Sequence, residues 1–78
     1  MKTYYGIMNK DTKKLKNTSG LDVDVFDDII ISSDLEKIKQ HIHIDYLYNC
    51  VPVKIVLGNY VKFYMWCDGK WKNTKINL

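Results

Sequence analysis

Hydrophobic and polar positions alternate along much of this chain, and the breaks in that alternation mark its turns. Lys2 to Asn9 (KTYYGIMN) is rich in Tyr and Ile and stops at the turn-prone Asn-Lys-Asp, which predicts a first strand. Residues 10 to 20, KDTKKLKNTSG, are polar, end in Ser-Gly and read as a mobile loop. Leu21, Val23 and Val25 then alternate with Asp22 and Asp24, a period of two that predicts a half-buried strand with an acidic outer face. Phe26-Asp27-Asp28 breaks the phase, because a continued strand would turn Asp27 inward. A bulge or bend is expected there, with a short extended run at Ile29 to Ile31.

The period changes at Ser33-Asp34-Leu35-Glu36. This is a capping-box pattern, in which the Ser hydroxyl accepts from the Glu amide and the Glu carboxylate accepts from the Ser amide. Leu35, Ile38 and Ile42 recur at helical spacing with Tyr46 a turn further on, so an amphipathic helix is expected over roughly Asp34 to Asp45. Its solvent face holds Glu36, Lys37, Lys39, Gln40 and His43. Asn49 can cap, and Pro52 forces Val51 into extended geometry.

The last third reads as a meander. Val51, Val53, Ile55 and Leu57 alternate in phase, Gly58-Asn59 marks a turn, Val61, Phe63 and Met65 alternate again, and Asp68-Gly69 reverses the chain into Lys70 to Ile76. Two registers compete in the first of these hairpins. A two-residue turn at Gly58-Asn59 sets Cys50 opposite Cys67 and mixes Lys62 with Ile55. An odd loop such as Gly58 to Tyr60 gathers Val51, Val53, Ile55, Leu57, Val61, Phe63, Met65 and Cys67 on one face. A one-residue slip would put about four of these into water at roughly 1.5 to 3 kcal/mol for each large side chain, so the odd loop is expected. It follows that Cys50 and Cys67 lie on opposite faces, unbonded. The whole pattern predicts one α+β domain over residues 1 to 78: an antiparallel sheet of four to five strands, order ββαβββ, with one helix packed on one face.

Given that helix on the apolar face, the opposite face displays Lys54, Lys62, Tyr64, Trp66, Trp71, Asn73 and Lys75. Trp66 and Trp71 form a non-hydrogen-bonded cross-strand pair there. Three uses fit such a face: a hairpin staple, a protein-binding patch, or a platform for single-stranded nucleic acid. All twelve basic residues are Lys, which supply charge without the bidentate fork that reads bases, so any nucleic-acid binding would be weakly specific and salt-sensitive.

Composition narrows the classes. Seventy-eight residues leave room for one core, 46% hydrophobic content is too high for a disordered chain, and no apolar run approaches the roughly 18 residues of a membrane helix. The absence of Ala and Arg, with abundant Lys, Asn, Ile and Tyr, points to an AT-rich genome. MKTYYGIMNK lacks the apolar core of an export signal, so a cytoplasmic protein is expected, with both cysteines as thiols. The net charge of +3 conceals six acids and no base in residues 21 to 36, between lysine-rich ends. Asp22, Asp24, Asp27 and Asp28 read as a solvated face or a docking surface for a basic partner. As calcium ligands they lack the spacing and the turn glycine, so no metal is expected. His41 and His43 lie about 200° apart on a helix and cannot share a ligand. No nucleophile arrangement and no phosphate loop appears, which argues against an enzyme and against a cofactor.

The layout MKTYYGIMN, an acidic strand leading into SSDLEKIKQHI, then VPVKIVL and a closing WCDGKW hairpin resembles small phage-encoded anti-CRISPR proteins of the type I-F kind. The resemblance implies a sheet with one packed helix. It implies an inhibitor that occupies the surface of a host protein or ribonucleoprotein complex, with helix residues Lys37 and Gln40 joining the contacts.

Overall fold

The alternating N-terminal segment forms β1, Lys2–Asn9. The computed structural model describes residues 2–16, 30–44 and 47–77. After β1 come β2 (Ile31–Ser32), α1 (Leu35–Ile44), β3 (Cys50–Leu57), β4 (Val61–Cys67) and β5 (Lys70–Thr74). The strands form one antiparallel sheet in the order β2-β1-β3-β4-β5, so the fold is α+β with the predicted ββαβββ sequence of elements. Ile31 of the expected extended run belongs to β2. The strand expected at Leu21 to Val25 and the bend at Phe26 to Asp28 lie outside the described residues.

The hydrophobic pattern prevails over the turn signal in the β3–β4 hairpin. Leu57 pairs with Val61 and Val53 with Met65, which makes Gly58 to Tyr60 the odd, three-residue loop. Val51, Val53, Ile55 and Leu57 therefore share a face with Val61, Phe63, Met65 and Cys67. Cys50 points to the other face, and neither cysteine is in a disulfide. Cys67 is half-buried rather than sealed in the core. The β4–β5 turn is of type I′, with φ of 51° at Asp68 and 78° at Gly69, and it sets Cys67 against Lys70 and Trp66 against Trp71.

The apolar face is not the helix face. Its core of Met8, Leu15, Val53 and Ile55 is flanked by Tyr4, Val51, Phe63, Met65 and Ile76. The cover comes from residues 10–16 and the C-terminal segment. Residues 10–16, expected as a mobile loop, fold back along β1: the Asn9 and Lys16 amides donate to the carbonyls of Lys14 and Ile7, and Leu15 bridges to Met8 and is buried. The Asn9 side chain accepts from the amides of Asp11 and Thr12, which shapes the turn. The Asn77 amide and side chain donate to the carbonyls of Lys13 and Thr12, tying the chain's end to the same strap. A single leucine among lysines suffices to close a small core, and that is why polarity alone misreads the segment.

The helix packs on the other side, over β1 and β3 with a contact to β2. The β1–β3 register places Ile7 opposite Pro52, both buried on that face, and buried Ile38 of the helix supplies the third apolar surface. This corrects the expectation that the helix covers Val53 and Phe63. The helix start is also one residue late: Asp34, not Ser33, caps it by accepting from the Glu36 amide at 3.0 Å, while the Ser32 hydroxyl accepts from the Asp34 amide. An Asp cap serves as well as Ser and adds a favourable charge at the positive helix end. At the far end the Leu47 amide donates to the Ile42 carbonyl, and Asn49, with φ of 56°, turns the chain into β3.

Candidate functional site

Registers across four strands set out the helix-side face in rows. Tyr5 pairs with Lys54, Lys54 with Tyr64, and Tyr64 with Asn73; one step along, Thr3 pairs with Val56 and Val56 with Lys62. Trp66 and Trp71 form the row on the other side, towards Ile7 and Pro52. The rings interlock. Trp66 and Trp71 meet edge to face with centroids 4.9 Å apart, and Trp71 leans back across the sheet to bring its ring 5.9 Å from that of Tyr5. Two lysines lie on these rings. The Lys54 ammonium is 4.7 Å from the Tyr64 centroid and 5.1 Å from that of Trp71, and the Lys39 ammonium is 4.8 Å from that of Trp66. Lys39 also pairs with Glu36 at 3.6 Å, so one carboxylate steadies the lysine that bridges helix and hairpin.

Of the residues singled out by sequence, Lys54, Tyr64, Trp66 and Trp71 stand together, but not opposite the helix. They adjoin it, and all four are half-buried. The correction has one cause: the pattern fixes which residues share a face, while the seat of the helix depends on Ile7 and Pro52, whose partnership spans some forty residues and has no local signal. Lys37 and Gln40 lie on the helix, both exposed, and Lys62 is exposed on β4. Lys75 lies beyond β5 and lines a shallow groove with Lys62, Phe63 and Asn73. Asp22, Asp24, Asp27 and Asp28 lie outside the described residues. Tyr5 and Lys39 belong to the array, and the sequence pattern alone does not place them there. The parity of β1 positions Tyr5 only once the β1–β3 pairing is known, and Lys39 reads as one of several solvent lysines.

An open cleft of about 470 Å³ continues the face towards the β3–β4 loop, lined by Thr3, Lys54, Val56, Tyr60, Lys62 and Tyr64. Among the described residues, no three His, Cys, Asp or Glu side chains gather as a metal site, and no helix is long and apolar enough to cross a membrane. Compared with protein-family models, with curated proteins and with solved structures, the chain matches none.

Proposed function

We propose that this chain is a small binding protein that covers a surface of a protein partner with the lysine and aromatic side of its sheet. In keeping with the anti-CRISPR resemblance, the partner is a defence complex of a bacterial host, and the protein is an inhibitor carried by a phage or mobile element. The observation that carries the reading is the fixed array of Lys54 over Tyr64 and Trp71 and of Lys39 over Trp66. Tyr and Trp dominate interface energetics, and lysines already held in place lose less side-chain freedom when a partner binds. Lys62 is a diagonal neighbour of Lys54 on the sheet, and Lys37 and Gln40 are exposed on the helix that carries Lys39, so they add polar, largely basic surface on the same two elements.

A single-stranded nucleic acid is the second reading. It needs aromatic faces on which bases can stack, and here Tyr64, Trp66 and Trp71 already carry ammonium groups. The protein reading is therefore preferred. Its test is affinity capture from extract of a low-GC bacterium with the tagged wild type and a Lys37→Glu/Lys39→Glu variant, each checked for folding by circular dichroism. The expected outcome is a partner retained by the wild type and lost by the variant. Equal recoveries, or no retained protein, would remove the reading.

A further inference from the structure

We infer that the cleft beside the β3–β4 loop is a carboxylate-binding site for a glutamate-rich segment of a protein partner. This rests on the reading that the partner is a protein and names the chemistry of one contact. Lys54 on β3 and Lys62 on β4 are diagonal neighbours on one face, because Lys54 pairs with Tyr64 and Lys62 with Val56. Such diagonal positions lie roughly 7 to 8 Å apart, close enough for two long side chains to converge on one group. Both side chains line the cleft, and a carboxylate bound there would offset the two like charges. Among the described residues, the cleft lining contains no acidic side chain to do so.

The rest of the lining suits an amino-acid carboxylate. Val56 offers an apolar floor between the two lysines for the methylenes of a Glu side chain. Thr3, Tyr60 and Tyr64 place hydroxyl donors around it. Lys54 is steadied by the Tyr64 and Trp71 rings, so one of the two cations is set before the ligand arrives. Lys62 and Tyr60 are exposed and close the outer wall. An apolar floor of a single valine with two point charges provides for one carboxylate and its short stem. It lacks a run of cations that would track a phosphate backbone.

The experiment is an amide chemical-shift titration of the isotope-labelled full chain with hexaglutamate at low salt, repeated for Lys62→Glu, for Lys62→Met and for Lys70→Glu. Lys70 is exposed and on the opposite face. The expected result is saturable shifts at Val56, Lys62 and Tyr64, affinity reduced about tenfold or more by Lys62→Glu and less by Lys62→Met, and Lys70→Glu within about twofold of wild type. Shifts centred on residues 10–16, affinity indifferent to Lys62→Glu, or no shift at all would overturn the site. Displacement of hexaglutamate by an equal concentration of oligothymidylate would also overturn it, in favour of a nucleic-acid groove. The two readings fail separately: a partner lost by Lys37→Glu/Lys39→Glu but unaffected by Lys62→Glu keeps the binding function and removes this cleft.

Discussion

Lys54 and Trp71 belong to strands separated by β4, yet the Lys54 ammonium lies 5.1 Å from the centroid of the Trp71 ring. The contact requires the indole to lean over Tyr64, which carries the same ammonium at 4.7 Å. A residue central to the sheet is thereby tied to its edge strand. Lys54→Met keeps the stem and removes the charge. Because Lys54 is half-buried, solvent screening limits the loss to about 0.5 to 1 kcal/mol in urea unfolding. A change of more than about 2 kcal/mol would mean that Lys54 has a different role.

The Trp66 and Trp71 rings should be energetically coupled. A double-mutant cycle with Trp66→Leu and Trp71→Leu is expected to give a coupling of about 0.5 to 1.5 kcal/mol beyond the separate losses. Strict additivity would show that the edge-to-face geometry contributes nothing.

Leu15 is the sharpest departure from a polarity reading, since it sits in a lysine-rich stretch and is 1% exposed. Leu15→Ala is expected to cost about 2 to 4 kcal/mol, a large share of the stability of so small a domain. A loss below about 0.5 kcal/mol would mean that the strap does not close the core.

Local pattern therefore carries much of the fold and less of its three-dimensional assembly. β1, the span of α1, the odd β3–β4 loop and the Asp68-Gly69 turn are legible because neighbouring residues determine them. The capping residue shifts by one because Ser33 and Asp34 are equally good caps in adjacent positions. The side on which the helix sits is not legible, since Ile7 and Pro52 form its seat only through a pairing distant in sequence. The constellation of Lys54, Tyr64, Trp66 and Trp71 is legible as a set; its partnership with Tyr5 and Lys39 is not.

Two glycines should respond differently to alanine. At Gly69, with φ of 78° and none of the described residues within 4 Å of an added Cβ, the cost is backbone strain, about 1 kcal/mol. At Gly6 a Cβ would stand 3.1 Å from the Ile30 carbonyl oxygen and 3.5 Å from Val53, between the sheet and the chain entering β2. Gly6→Ala is expected to lower the melting temperature more than Gly69→Ala. The reverse order in thermal unfolding would mean that the Ile30 backbone does not pass so close.

The surface through which we propose the protein acts exists only if the helix and the aromatic rows share one side of the sheet. Nuclear Overhauser contacts measure this most directly. The arrangement predicts cross-peaks from the Lys39 ε-methylene to the Trp66 indole and from the Lys54 ε-methylene to Trp71. Cross-peaks from Ile38 to Phe63 and Met65, with none between Lys39 and Trp66, would place the helix on the opposite face and contradict the account.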